Sequence, residues 1–364
     1  MIDFLPALVA LFTALAGSFF IVYTKRWHGN LSFDSDTGVQ RQHQQPTPRV
    51  GGLAIWLGLL MGVMVCADEL CASVWLVGSP VFIVGLIEDL SKTVSVATRL
   101  MASLLAGVIG WWLTGYSLNH LHWPGVDAVL LGTPVLAVAL SCFAVAGVTN
   151  AINIVDGFNG IAAGSVLVGA SAFYYLAYAA GDTQLMTACS VLIGALAGFL
   201  LLNWPRGKLF LGDGGAYLAG SSLGWLAVMI NARIPEVSAW ALLLICAYPV
   251  QEVLFSIWRR RRRQKHWGHP DRLHLHSLVG RRLIKPCMPR SSALARNSAT
   301  GLVMLMANAL PVAWALAWPG EDLMLVLGFA VCALVYRLFY QRLTRFSWRP
   351  TAPTELITQQ VASR

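Results

Sequence analysis

Residues 184–220, QLMTACSVLIGALAGFLLLNWPRGKLFLGDGGAYLAG, join a long apolar run to a short polar segment and a second apolar run. Residues 184–202 carry no charged side chain and approach the ~20 residues that a helix needs to cross the hydrocarbon core of a bilayer. Asn203, Arg206 and Asp213 follow within a few positions. The stretch therefore predicts two membrane helices joined by a polar loop, and that loop is a candidate site for chemistry.

Similar apolar runs recur along the whole chain. Charged residues make up 12% of the 364 residues and hydrophobic residues 57%, whereas soluble proteins carry about 25% charged residues. We predict an all-α polytopic membrane protein with about eleven transmembrane helices, one for each run. The predicted spans are 4–23, 51–67, 73–87, 100–115, 129–149, 161–180, 184–202, 214–231, 237–257, 298–317 and 321–340.

Basic residues indicate the orientation of these spans, because Lys and Arg accumulate in cytoplasmic loops. If the N-terminus lies outside, every Lys and Arg except Arg233 falls on the inner side, and the C-terminus is cytoplasmic. We expect a single membrane domain over residues 1–340 and a basic cytoplasmic tail at 341–364. The cytoplasmic loops are then 24–50, 88–99, 150–160, 203–213 and 258–297.

The net charge of +9 therefore lies on the cytoplasmic face. It serves topology and attraction to anionic membrane lipid, so WRRRRRQKHW (258–267) does not predict a nucleic-acid partner. The seven cysteines show no C-x-x-C pair. Neither a zinc site nor a disulfide framework is predicted from them.

The first polar segment on the cytoplasmic side is GLIEDLSKTVSVATR, residues 85–99. On a helix Asp89 and Lys92 share a face, so they can form a plain surface ion pair. Together with Glu88 they can also present carboxylates and an ammonium group to a phosphate. Both interpretations stay open at this point.

The second segment is NAINIVDGFNGIAAG, residues 150–164. Asn150, Asn153 and Asp156 recur at helical spacing. Amide donors and acceptors suit a contact with a nucleotide sugar, and the same residues can instead cap the following helix. The segment thus offers a candidate binding surface and a purely structural alternative.

The third segment contains Asn203 and Asp213, on either side of a loop. An aspartate at a helix start can be a simple N-cap. The glycines among residues 212–215 favour a ligand site instead, because glycine lets the backbone approach a ligand closely.

The fourth segment, HPDRLHLHSLVGRRL (269–283), carries Arg272, His274 and His276. An H-x-H pair can bind a transition metal, but neither cysteines nor a second cluster accompany it. Arginine and histidine donors around a phosphate agree better with the other segments. Carboxylates, cations and amides gathered on one membrane face predict Mg²⁺-dependent chemistry on a phosphorylated ligand beside lipid.

Together these segments resemble the polyprenyl-phosphate N-acetylhexosamine-1-phosphate transferases, the family that starts O-antigen and related cell-envelope glycans. The matching stretches are PTPRVGG (46–52), EDLSK (88–92), NAINIVDGFNG (150–160), NWPRGKLFLGDGG (203–215) and HPDRLHLHSL (269–278). The resemblance implies transfer of a sugar 1-phosphate from a UDP-N-acetylhexosamine to undecaprenyl phosphate, with release of UMP, in the bacterial cytoplasmic (inner) membrane. GlcNAc is the default sugar, and a homodimer is left open.

The resemblance also implies roles for individual residues. Asp213 corresponds to the Mg²⁺ ligand, with Mn²⁺ as a substitute metal. Glu88 and Asp89 correspond to an aspartate pair, and Lys92 lies near the lipid phosphate. The implied substrate-binding residues are Asn150, Asn153, Asp156, Asn203, Arg272, His274 and His276.

This sequence departs from the family pattern at three places. Glu88 stands where an aspartate is usual, and Asn159 replaces the second aspartate of a VDGxDG pattern. The stretch from His274 to Ser277 lacks the three consecutive histidines of the phospho-MurNAc-pentapeptide translocase. The last departure favours polysaccharide initiation over peptidoglycan synthesis.

The alternative function is transport of a nucleotide sugar or a polyprenyl-linked sugar. A transporter would need polar groups near mid-bilayer and a broken helix, whereas most of the candidate polar groups lie at the cytoplasmic ends of the spans and only Glu252 among them lies somewhat deeper. In the enzyme interpretation the lipid phosphate attacks the β-phosphorus of the UDP-sugar. That phosphate is mostly dianionic at neutral pH, so Asp89 either orients it or takes its residual proton.

Overall fold

The computed structural model describes residues 4–32, 47–262 and 273–345. We number the helices of these residues α1 to α15 in chain order. Their bounds are α1 Leu5–Ser32, α2 Gly51–Cys66, α3 Glu69–Ser91, α4 Val96–Thr114, α5 Pro124–Gly132, α6 Pro134–Val155, α7 Ile161–Ala180, α8 Thr183–Asn203, α9 Gly212–Arg233, α10 Ala239–Ile245, α11 Ala247–Arg262, α12 Leu275–Val279, α13 Lys285–Cys287, α14 Ala293–Ala317 and α15 Asp322–Thr344. A π-helical turn, Gly280–Ile284, joins α12 to α13.

The predicted all-α polytopic membrane fold is confirmed. Among the described residues, eight helices are long and apolar enough to cross a membrane, namely α1, α3, α4, α6, α7, α8, α14 and α15. Taken together as one span, α10 and α11 are also long and apolar enough to cross a membrane. Two further predicted spans, α2 and α9, are helical but fall outside this set. The count of eleven crossings and the side of each terminus stay predictions.

Two of the predicted spans are interrupted. The span 129–149 is divided between α5 and α6 at Thr133, because Pro134 lacks the N–H that a continuous helix needs and restricts the residue before it. The span 237–257 is divided at Cys246, where α10 and α11 meet at 80°. Both breaks replace one predicted straight helix by two.

The ends of α1 and α15 also differ from the prediction. α1 continues to Ser32, so the first part of the predicted loop 24–50 is helical. α15 ends at Thr344, which makes the start of the predicted tail 341–364 helical. The tail from residue 346 lies outside the described residues.

α9 occupies the centre of the bundle. It packs against α2, α3, α6 and α7, and nearly all of its side chains are buried. Its largest residue, Trp225, is fully buried and donates its indole N–H to Oγ of Ser73 in α3 at 3.1 Å. A helix surrounded by protein needs small residues for close packing more than it needs apolar ones for lipid. The many glycine, alanine and serine residues of α9 explain why it is not among the helices that are apolar enough to cross a membrane.

Arg233 ends α9 at the far end of the bundle from Asp213. Its Nε donates to Oδ2 of Asp182 at 2.6 Å, and its Nη1 donates to Oη of Tyr116 at 2.8 Å. Asp182 also caps α8 by accepting a hydrogen bond from the backbone N–H of Leu185. Arg233 is the one basic residue that the charge pattern places outside, and this ion pair neutralises it.

Candidate active site

Asp89, near the end of α3, holds the first turn of α9. Its Oδ1 accepts the backbone N–H of Asp213 and its Oδ2 accepts that of Gly214, each at 2.9 Å. Only 7% of Asp89 is exposed. The first N–H groups of a helix lack partners within the helix and attract negative charge, so a carboxylate from a neighbouring helix stabilises them. Asp89 therefore fixes where Asp213 stands.

Asp213 itself is partly exposed and faces two arginines. Its Oδ2 lies 3.1 Å from Nη1 of Arg99 at the start of α4, and its Oδ1 lies 3.6 Å from Nη2 of Arg49. The N-cap position of α9 is Leu211, which makes no side-chain cap. The interpretation of Asp213 as a simple N-cap is therefore wrong, and its carboxylate contacts arginines from two other segments.

The glycines beside Asp213 serve helix packing. A Cβ at Gly85 would lie 2.6 Å from Cα of Gly214, and a Cβ at Gly52 would lie 2.4 Å from N of Gly215. Gly212 has a positive φ of 75°, and a Cβ there would collide with the carbonyl oxygen of Arg49. The expectation that these glycines make room for a ligand is thus corrected. They let the backbones of α2 and α3 touch the start of α9.

Glu88 and Lys92 shape the turn after α3. Oε2 of Glu88 accepts the backbone N–H of Val94 at 2.8 Å. The helix ends at Ser91, and Lys92 adopts a left-handed conformation with φ 56°. Lys92 is exposed and, within the described residues, makes no ion pair with Asp89. The shared helical face predicted for Asp89 and Lys92 is therefore absent.

The α6 segment ends beside the same site. Asn150 donates from Nδ2 to the carbonyl oxygen of Ala146 at 2.8 Å, and Asn153 is half-buried. Asp156 follows the last residue of α6 as its C-cap. Desolvation raises the pKa of Asp156 from 3.8 to about 7, while the charge of Arg49 lowers this pKa and that of Asp213 raises it further. Asp156 therefore lies in the electrostatic field of the Asp213 cluster.

Asn203 is placed differently from the substrate contact that the sequence predicts. Its Oδ1 accepts the backbone N–H of Gly160 at 2.7 Å, and its Nδ2 donates to the carbonyl oxygen of Leu209 at 2.8 Å. With 5% of the residue exposed, its amide joins two loops together. Asn159 is buried as well, and its N–H donates to Oδ1 of Asn297 in α14. A neutral amide at position 159 suits this protein-lined environment.

A buried carboxylate anchors the histidine loop. Glu252 of α11 is fully buried and accepts hydrogen bonds from Nδ1 of His274 (2.9 Å), the backbone N–H of Leu275 (3.1 Å) and Oη of Tyr336 (2.9 Å). His274 stacks on His276, with ring centroids 5.4 Å apart. Arg272, the third predicted phosphate contact, lies outside the described residues. The loop is thus held from the bundle interior.

Sequence reasoning did not give Glu252 a role in the site. Its only signal is an acidic residue within an apolar run, which by itself marks a functional position in a membrane protein. Arg49 and Arg99 were read as topology signals, although Arg49 lies within the PTPRVGG stretch. Only their convergence on Asp213 shows that they belong to the site.

Arg259 corrects a further expectation. The run Arg259–Arg263 was predicted to serve topology and lipid attraction, but Arg259 is 5% exposed. Its Nη1 donates to the carbonyl oxygen of Leu273 at 2.7 Å and to Oη of Tyr340 at 2.8 Å. Arg261 is exposed, as expected. Arg259 and Glu252, both on α11, therefore hold the histidine loop through the carbonyl of Leu273 and through His274 and Leu275.

The histidine loop and the α6 loop touch. A Cβ at Gly157 would lie 2.9 Å from Nε2 of His276, so glycine lets the imidazole lie against this loop. Gly157 follows Asp156, which senses the charges of Arg49 and Asp213. Carboxylates, arginines and histidines from distant parts of the chain thus form one site at one end of the bundle.

A known family model matches the part of the chain that carries several of these residues. Residues 71–231 match the family model described as glycosyl transferase family 4. This range contains Glu88, Asp89, Arg99, Asp156 and Asp213. Over this range, the chain is similar to glycosyl transferase family 4. The histidine loop lies beyond the matched range of that family model, although it packs against Gly157 within it.

Three relatives illustrate the similarity. A probable undecaprenyl-phosphate N-acetylglucosaminyl 1-phosphate transferase of Bacillus subtilis is 29% identical over 65% of this chain and 66% of its own length. The undecaprenyl-phosphate alpha-N-acetylglucosaminyl 1-phosphate transferase of Yersinia pestis is 28% identical over 66% and 68%. A phospho-N-acetylmuramoyl-pentapeptide-transferase of Pelagibacter ubique is 27% identical over 58% and 66%. The chain thus spans about two thirds of the length of these relatives.

The carboxylates of the candidate site are hard oxygen donors of the kind that Mg²⁺ takes. Within the described residues, no three carboxylates of the site have oxygen atoms that all lie within 4.8 Å of one another. Mg²⁺ is usually held by one or two carboxylates together with substrate phosphates and water. Asp213 is the partly exposed carboxylate at the head of α9, so it is the residue that fits this role.

Proposed function

We propose that this protein transfers an N-acetylhexosamine 1-phosphate from a UDP-sugar to undecaprenyl phosphate, with UMP as the second product. The observation that carries the proposal is the placement of Asp213 between Arg49 and Arg99 at the end of a membrane helix bundle. A diphosphate donor and a lipid phosphate both need cations at such a surface. The names of the relatives from Bacillus and Yersinia support undecaprenyl phosphate as the acceptor and an N-acetylhexosamine 1-phosphate as the transferred group.

The two arginines would bind the phosphates. A guanidinium group presents several N–H donors in a fork that matches phosphate oxygens. Arg99 and Arg49 each contact Asp213 through one terminal nitrogen, at 3.1 and 3.6 Å. His274 and His276 would add imidazole donors from the histidine loop, and Glu252 keeps His274 in place.

Asp213 would hold Mg²⁺ against the diphosphate. When bound, Mg²⁺ would neutralise the negative charge that develops on the UMP leaving group. Asp89 would keep Asp213 at the required position, since it holds the backbone N–H of Asp213 itself. Mn²⁺ is the substitute metal that we expect.

The chemical step is a displacement at phosphorus. A phosphate oxygen of the lipid forms a bond to the β-phosphorus of the UDP-sugar, and the bond from that phosphorus to the bridging oxygen of UMP breaks. The lipid phosphate is mostly dianionic at neutral pH, because its second pKa is ~6. The step therefore needs no strong base. Both oxygens of Asp89 already accept hydrogen bonds, so Asp89 would help to position the reacting groups and would not take a proton from the lipid phosphate.

Transport is the alternative, and one observation bears on it. α10 and α11 form the broken helix that a transporter would need, with Glu252 beyond the break. All three donors to Glu252 come from the protein itself, two of them from the histidine loop. The break therefore serves to present Glu252 to that loop, which favours the enzyme.

The test is release of UMP by the purified protein with undecaprenyl phosphate and a panel of UDP-sugars. We expect UMP only when both substrates and Mg²⁺ are present, with UDP-GlcNAc as the first donor to try and a lipid-linked glycan such as O-antigen as the pathway. Uptake of labelled UDP-sugar into proteoliposomes, without UMP release, would support transport and contradict the proposal.

A further inference from the structure

Cys66 and Cys71 lie together at the turn between α2 and α3. Cys66 is the last residue of α2, and its Sγ is 3.0 Å from Sγ of Cys71. Asp89 lies about 27 Å further along α3, at ~1.5 Å of rise per residue. The two thiols are therefore remote from the candidate active site, and the proposed transferase reaction makes no use of them.

The turn that carries the two thiols is firmly held. Ala67 has a left-handed conformation with φ 50°, and its N–H donates to the carbonyl oxygen of Val63 at 2.9 Å. Oδ1 of Asp68 accepts the backbone N–H groups of Leu70 and Cys71, at 2.9 and 3.2 Å. The folded backbone thus keeps the two sulfur atoms close to each other.

We propose that Cys66 and Cys71 are a redox pair that forms an intramolecular disulfide by exchange with a disulfide donor. Cys66 is the more accessible thiol, since Cys71 is only 1% exposed. The thiolate of Cys66 attacks one donor sulfur, and a donor thiolate leaves. Cys71 then attacks the sulfur of Cys66 and releases the second donor thiolate. The pair loses two protons and two electrons, and the donor takes up both as two thiols.

A metal ion is the competing occupant of this cluster. Ligand atoms of Cys66, Asp68 and Cys71 lie within 4.8 Å of one another. A structural zinc site needs four ligands. Oδ1 of Asp68 caps α3, and its Oδ2 accepts Nε2 of Gln184 at 2.8 Å, so only two thiols remain. Two thiols in contact fit a disulfide better than a metal site.

The bond would join two helices that meet the head of α9. Gly52 of α2 and Gly85 of α3 both contact the first turn of α9. A disulfide at the other end of these helices restricts the unfolded chain and leaves the active site in place. We therefore expect oxidation to raise the apparent Tm of the protein without changing UMP release.

The experiment compares the purified full-length protein after incubation with oxidised glutathione or with dithiothreitol. Each sample is denatured, alkylated and digested with trypsin. No Lys or Arg lies between Arg49 and Lys92, so Cys66 and Cys71 share one tryptic peptide, whereas the buried Cys189 does not. We expect this peptide to lose two hydrogen atoms on oxidation and to escape alkylation. Cys66→Ser should abolish the difference in Tm between the two samples, and Cys332→Ser should keep it.

Three results would overturn the proposal. Full alkylation of both cysteines after oxidation would show that they do not react. A link from Cys71 to Cys189 would show a different pair. Protection that a chelator removes without a reductant would show a metal site. The peptide masses are measured on the protein without substitutions, so the test remains valid even if the Cys66→Ser variant does not fold.

Discussion

Asp89 and Asp213 lie at the same helix end, yet their surroundings differ. Both oxygens of Asp89 accept backbone N–H groups of α9, whereas the oxygens of Asp213 face the guanidinium groups of Arg99 and Arg49. Because Asp89 is buried and accepts two backbone N–H groups, it is a positioning residue. Partial exposure beside cations makes Asp213 the residue that can meet a metal and a diphosphate.

We expect Asp213→Asn to abolish turnover and leave the fold intact. An amide is a poor replacement for an anionic Mg²⁺ ligand, and it also loses the attraction to Arg49 and Arg99. The loss of UMP release should exceed ~100-fold. Asp182→Asn is the matched control, since Asp182 also pairs with an arginine but lies at the other end of the bundle. Near-normal activity of Asp213→Asn across a Mg²⁺ titration would contradict its assignment.

Asp89→Asn should be more damaging than Glu88→Gln. The amide introduced at position 89 would bring an N–H₂ group against a backbone N–H of α9, and a buried unpaired donor costs about 1–3 kcal/mol. Glu88→Gln keeps an oxygen that can accept the N–H of Val94. The kcat values of the two variants decide the matter, and the reverse ranking would show that the pair is assigned the wrong way round.

At the scale of elements, the histidine loop depends on α11. Glu252→Gln should lower kcat/KM for the UDP-sugar by about a hundredfold, close to the expected effect of His274→Ala or His276→Ala. The amide would turn an acceptor into a donor facing His274 and the N–H of Leu275. Tyr336→Phe removes one donor only and should be milder.

The combined variant tests whether Glu252 acts through His274. If it does, Glu252→Gln together with His274→Ala should be no worse than His274→Ala alone, because residues in one hydrogen-bond network are not additive. A fully additive loss in kcat/KM would show that Glu252 acts independently of the histidine.

The arginine run at the end of α11 should divide into two kinds of residue. Arg259→Ala should lower kcat/KM by roughly tenfold and reduce Tm, since it leaves the carbonyl of Leu273 and the hydroxyl of Tyr340 without this partner. Arg261→Ala should change kcat/KM by less than about threefold, because an exposed charge within a run contributes little. If Arg259→Ala and Arg261→Ala lose equal kcat/KM at the same abundance in the membrane, the arginine run acts only through its total positive charge.

At the scale of the whole molecule, the position of the site depends on how closely α9 approaches its neighbours. Gly85→Ala should lower both Tm and UMP release, because its methyl group would lie 2.6 Å from Cα of Gly214. Gly147→Ala is the control, since Gly147 lies within α6 and nothing is within 4 Å of a Cβ there. That control should be neutral or stabilising by about 0.5–1 kcal/mol. Equal Tm values for the two variants would show that the packing has room.

The sequence by itself determined the class of fold and suggested a chemistry for the site. Apolar runs of bilayer length and an almost one-sided distribution of Lys and Arg are local properties, so they can be read without knowing which helices touch. The motif set around Asp89, Asp156 and Asp213 likewise indicated phosphate chemistry. The break at Thr133 has a sequence signal in Pro134, which the predicted span 129–149 did not take into account. The 80° bend at Cys246 was not foreseen, because an apolar run does not show how two helices meet.

Tertiary structure alone decided which partners each polar residue has. The resemblance gives Asp89 and Asp213 different positions in the motifs, but it does not show that Asp89 binds the head of α9, that Arg259 is buried while Arg261 is exposed, or that the amide of Asn203 is bonded within the protein. Their roles follow from partners far away in the chain, such as the head of α9 for Asp89 and Leu273 for Arg259. Hydrogen bonding and desolvation act over a few ångströms, so only the distances that folding creates can assign them.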